Sequence, residues 1–107
     1  MTTPQVVSAK DRARQKRVAY LSSVRSRALS DLASPLEAQS ALRSLGLSEG
    51  QAKWVSTLPK AIQQQIVPTP EALQQSEELG GNVDGAGLLH ALAVQASVLV
   101  PGDWAEL

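Results

Sequence analysis

The sequence predicts an all-α fold, a small bundle of four to five helices around a buried C-terminal helix, with a basic N-terminal helix or arm. Three observations carry this. Phe is absent and the large aromatics are only Tyr20, Trp54 and Trp104, so the core must rest on Leu, Val, Ile and Ala. Together with many Gln and Glu, that composition suits helix-on-helix packing better than sheets, which favour β-branched and aromatic residues. Ala13, Arg17, Tyr20, Leu21, Val24, Ala28 and Leu32 recur at three- and four-residue steps, the spacing of one helix face. Lastly, residues 84–100 form the longest apolar run, interrupted between Ala86 and Val100 only by His90, Gln95 and Ser97. A helix apolar nearly all round is a buried helix.

At 107 residues the chain is one domain by size. A chain of this length buries about 60–70% of its unfolded surface. Taken in order, residues 1–7 read as a loose lead-in, and the helical pattern starts at Ser8. Its first part, AKDRARQKR, has little to bury, so residues 1–17 are read as a basic arm open to ordering on a partner. Residues 18–107 are read as the single helical domain. Ser34-Pro35 supplies an N-cap and a first-turn proline for a second helix expected to bury Leu36, Ala41, Leu42 and Leu45. Gly46 stands at the position of a left-handed C-cap. Ser48 with Gln51 is a capping-box pattern that opens a third helix, and Pro59 either ends that helix or begins a fourth. Thr69 caps a short helix through Glu77 and Glu78, and Gly80-Gly81-Asn82 loops into the apolar helix, which Asp84 caps and Pro101-Gly102 stops. The tail is expected to fold back so that Trp104 covers the core.

Net charge is zero, but it is distributed as a gradient. Residues 1–30 hold Lys10, Arg12, Arg14, Lys16, Arg17, Arg25 and Arg27 against Asp11, a net +6; residues 31–60 balance; residues 61–107 hold six acids and no Lys or Arg, a net −6. Such asymmetry points to an anionic partner or to self-association. The seven bases are the candidate phosphate-binding set, a grip that is indifferent to sequence and falls steeply with salt. A solvated helix face is the alternative, and a third is that the +6 end binds the −6 end of the same chain or of a neighbour.

Catalytic and metal chemistry find few residues. With no Cys, disulfides and thiolate metal sites are excluded, and with His90 the only histidine the usual zinc and non-haem iron sets cannot be assembled. His90, on the apolar helix, is read as a core residue. The run GGNVDGAG lacks the Lys-Ser/Thr ending of a P-loop, and His90 stands where a dinucleotide fingerprint needs its third glycine. No cofactor and no enzymatic activity are expected.

Residues 37–58 carry the remaining motif. Gly46 flanked by Leu45 and Leu47, followed by Ala52 and Val55, resembles the helix-turn-helix family of DNA-binding domains, and Leu58-Pro59 with Ile62 resembles the continuation of the motif in plasmid-partition proteins. The resemblance implies duplex DNA as partner, with Ser48, Gln51 and Lys53 as candidate base readers; a Gln can pair bidentately with adenine. The pattern is departed from at Leu42, usually a small Ala, and at Glu49, Gly50 and Trp54, which fall on groove-facing positions. Short helical hairpins with Gly turns are common in ordinary domains.

Two functions lead from sequence: a small non-catalytic nucleic-acid-binding protein, or an assembly or adaptor subunit, for instance of a virion, docking on protein through its charged ends; an enzyme or small-molecule binder built around the Gly loop and His90 is a distant third. No secretory signal is expected, since the first charged cluster is not followed by an apolar stretch; the Arg- and Ser-rich segment 8–30 only partly fits a transit peptide, and the apolar run is too short to span a bilayer. The expected place is the cytoplasm or an intracellular assembly, with no membrane contact.

Overall fold

The structure, a computed structural model, describes residues 8–80 and 84–107; the lead-in 1–7 and most of the 80–82 loop fall outside them. The described residues form an all-α bundle of six helices: α1 (Ala9–Leu29), α2 (Pro35–Ser44), α3 (Glu49–Ser56), α4 (Lys60–Ile66), α5 (Pro70–Gly80) and α6 (Gly85–Gln95). A 3-10 turn at Trp104–Glu106 comes after them.

Ser8 caps α1 by accepting from the Asp11 N–H, and Asp11 itself sits in the positive first turn. The helix continues without a break through Arg17 and Val18. The described part of the expected arm is therefore the first half of α1. Leu21, Val24 and Ala28 are buried along one edge, where α1 packs on both α2 and α5.

In α2 the cap at Ser34 and the proline at the first helical position are as the sequence suggests. Ala38, Ala41, Leu42 and Leu45 are buried, but Leu36 is 77% exposed, contrary to expectation. At 100° per residue Leu36 lies on the opposite side of the helix from the centre of those four. The chain leaves α2 through a Schellman turn: Leu47 N–H donates to Leu42 O (3.4 Å), Gly46 N–H to Arg43 O (3.0 Å), and Gly46 has φ 103°. Ser48 and Gln51 then close a complete capping box on α3. Pro59 begins α4, and Thr69 Oγ1 caps α5 by accepting from the Ala72 N–H.

The apolar helix departs most from the sequence reading. It ends at Gln95, and only Gly85, Leu89 and Ala93 are buried along it; His90 and Val94 face outward. Much of the run's apolar character comes from Gly and Ala, which offer little area to bury, so the core is shared among Leu21 of α1, Leu42 of α2, Ile66 of α4, Leu73 of α5 and Leu89 of α6, all fully buried. A second Schellman turn ends the helix early, with Val98 N–H on Ala93 O (2.8 Å), Ser97 N–H on Val94 O (3.1 Å) and Ser97 at φ 58°. The start of α6 lies hard against the end of α2: a Cβ on Gly85 would overlap the Leu45 carbonyl oxygen. Beyond α6 the tail does fold back. Trp104 is buried, donates from Nε1 to Ala86 O (3.2 Å) and meets Trp54 edge-on at 5.5 Å.

Candidate nucleic-acid interface

The seven candidate phosphate-binding residues all lie on α1, and the helical turn sorts them into two sets. Lys10, Arg14, Arg17 and Arg25 fall within about 40° of Leu21 around the helix axis, whereas Arg12, Lys16 and Arg27 lie roughly 120–180° away. The first set faces the rest of the protein. The second faces solvent.

Each inward arginine has an internal partner. Arg17 grips Glu77 through Nη2 (2.7 Å) and through Nε, shared between the two carboxylate oxygens at 3.0 and 3.1 Å. That hydrogen bond raises the Arg17 pKa further above its ordinary value, against the opposing effect of partial burial. The same guanidinium lies 5.4 Å from the Tyr20 ring centroid, within cation–π range. One turn earlier, Arg14 Nε pairs with Glu78 Oε1 at 3.2 Å. Arg25 reaches the C-terminal end of α4 and donates to the carbonyls of Gln64 (3.0 Å), Val67 (3.3 Å) and Pro68 (3.1 Å). A guanidinium there satisfies carbonyls that the helix leaves open and complements its dipole. Burial lowers the Arg25 pKa, with Glu71 partly opposing the shift. The +6 and −6 ends of the chain thus meet within one molecule, through α1 and α5.

The outward set makes no ion pair within 4.0 Å among the described residues, nor does Lys10 on the first turn. Arg12, Lys16 and Arg27 are exposed and span 15 residues of helix, about 22 Å. Tyr20 and Ser23 lie between them, and no acid shares that face.

The α2–α3 hairpin places its candidate readers differently from the sequence expectation. Gln51 is 94% out of solvent and both ends of its amide are committed: Oε1 accepts from the Ser48 N–H (2.9 Å) and Nε2 donates to Trp104 O (2.8 Å). It cannot reach a base from there. The Ser48 hydroxyl accepts from the Gln51 N–H (3.1 Å) as the N-cap. Lys53 alone of the three projects an exposed head without an ion pair among the described residues. The groove-facing positions Gly50 and Trp54 are occupied by the tail: a Cβ on Gly50 would overlap the Leu107 carbonyl, and Trp54 stacks edge-on with Trp104. A sequence signal for this was present in the departures at Gly50 and Trp54, which are a close-approach residue and a large aromatic beside a tail tryptophan.

His90 is exposed rather than a core residue. It lines an open cleft of about 620 Å³ with Gln51, Asp84, Gly87, Val100 and Trp104. Asp84 is engaged as the α6 cap, accepting from the Gly87 N–H at 3.0 Å. Among the described residues no group of three or more His, Asp or Glu is placed to hold a metal ion, and no helix is long and apolar enough to cross a membrane. One structural contact of the basic residues escaped the sequence reading: Lys60 Nζ donates to Ala28 O (3.0 Å), closing the end of α1. Comparison of the chain with protein-family models, curated proteins and solved structures finds no match.

Proposed function

We propose that this is a small non-catalytic nucleic-acid-binding protein that holds the phosphate backbone on the outward face of α1, through Arg12, Lys16 and Arg27. The observation that carries the reading is the sorting of α1's bases, in which the inward arginines are matched to acids and carbonyls and the outward ones are not. Phosphate contacts position a protein on a duplex without reading sequence. With Gln51 committed inside the protein, the hairpin adds Lys53 at most, so the reading is of shape and charge. Tyr20 is the one aromatic on that helix and is engaged with Arg17, which favours duplex over stacked single strands.

Fluorescence anisotropy with a labelled duplex across a salt series tests this. Three phosphate contacts give a log–log salt slope of about −3. Arg12→Gln/Lys16→Gln/Arg27→Gln should abolish binding, whereas Ser48→Ala/Lys53→Gln should leave it nearly intact. Absence of binding at low salt refutes the proposal. The assembly-subunit reading would then stand on a different observation, the leucines left in solvent at Leu32 and Leu99, which suit contact with protein.

A further inference from the structure

The bases on the outward face of α1 are unevenly spaced. Arg12, Lys16 and Arg27 lie within about 60° of one another around the helix axis and so form a straight row. Arg12 and Lys16 are one turn apart, about 6 Å along the axis, whereas Lys16 and Arg27 are about 16 Å apart. Between them the face holds Ala19, Tyr20 and Ser23, all exposed and none charged. Because α1 runs unbroken over this span, the gap is a fixed distance.

We infer that α1 lies across the major groove of B-form DNA, with Arg12 and Lys16 on the phosphates of one strand and Arg27 on those of the other; this rests on the phosphate grip proposed above. The major groove is about 12 Å wide and the minor about 6 Å, with the phosphate charges on the crests a little further apart than the walls. A gap of about 16 Å between cationic residues spans the first and overshoots the second. A track along one strand fits less well. That strand turns about 35° around the duplex per nucleotide, so a straight row of about 22 Å draws away from it at both ends. The uncharged stretch in mid-row would also leave phosphates unmet. Laid across the groove, the helix runs closer to the duplex axis, along which the surface is straight. The uncharged stretch then lies over the opening, where no phosphate needs a partner. The rest of the protein stays clear, because α2 and α5 pack where Leu21, Val24 and Ala28 are buried, on the far side of the helix.

Competition for a labelled all-phosphate duplex at low salt tests this with the full chain. The unlabelled competitors share one sequence and one net charge, and in each of them half the linkages are neutral methylphosphonates. In the first, one whole strand is neutral. In the other two, charged and neutral blocks alternate on both strands, phased so that charged blocks face each other across the major groove in one and across the minor groove in the other. The chain should prefer the major-groove-phased duplex to both others by about fivefold or more, the worth of one phosphate contact. Arg27→Gln, which keeps contacts to one wall only, should lose that preference. A preference for the duplex with one neutral strand assigns a track along a single backbone and overturns the inference. So does a preference for the minor-groove-phased duplex, equal competition by all three, or a preference that survives Arg27→Gln. In each of those cases the phosphate grip stands, because the labelled duplex is bound; absence of that binding removes both.

Discussion

Gln51 and Trp104 are joined by a 2.8 Å hydrogen bond from the glutamine Nε2 to the tryptophan carbonyl across 53 residues of chain. The same side chain completes the capping box of α3 through its Oε1. One amide therefore ties the start of a helix to the tail that covers it. Gln51→Ala should cost about 2–3 kcal/mol, combining a lost cap, a lost buried hydrogen bond and a small cavity. Urea denaturation measures this, and the duplex affinity of the folded variant should be unchanged.

Arg17 and Glu77 should behave as a coupled pair. Their side chains are only partly buried, so exchange of either for Gln should destabilise by about 1 kcal/mol, with a coupling of about 0.5–1 kcal/mol in a double-mutant cycle. The coupling should shrink in high salt. In the proposed function, Glu77→Gln/Glu78→Gln also releases Arg14 and Arg17 from their acids, and duplex affinity measured by anisotropy should rise.

Ser97 ends α6 with a positive φ that L side chains pay for. Ser97→Gly should raise stability by about 0.5–1 kcal/mol in thermal unfolding. Gly46→Ala, at the equivalent place after α2, should lower it by about 1–2 kcal/mol.

Gly85→Ala sets two effects against each other. Helix propensity favours Ala by about 1 kcal/mol, while the added methyl collides with the Leu45 carbonyl. Backbone cannot move aside as a flexible side chain does, so a net loss of about 2 kcal/mol is expected. Denaturant midpoints decide the sign.

Signals local to a few residues were legible in the sequence. Ser34-Pro35, Gly46 and Ser48 with Gln51 each specify a cap or turn by their own chemistry, and each is found as read. What depended on which side of a helix meets the rest was not legible. Leu36 looks like a core residue until α2 is turned by the positions of Leu42 and Leu45. The apolar run at 84–100 looked central because hydropathy counts Ala and Gly as apolar without weighing how little they bury. For the candidate site, the charge gradient was visible, but the division of α1's bases required knowing where α5 lies. Gln51 failed as a reader because one residue was matched to two roles, and the capping role, local and satisfied twice over, prevailed.

The cover that the tail lays over α3 also orders events in time. On a ribosome adding about 5–20 residues per second, α1 to α3 are synthesised several seconds before Trp104. Over that interval Trp54 lacks its aromatic neighbour and the Gln51 Nε2 has only water. The long contact between α1 and α2 can form meanwhile, but α3 acquires its final surroundings only once residues 104–107 have reached it, and until then it is the part of the nascent chain that a chaperone or protease would find open.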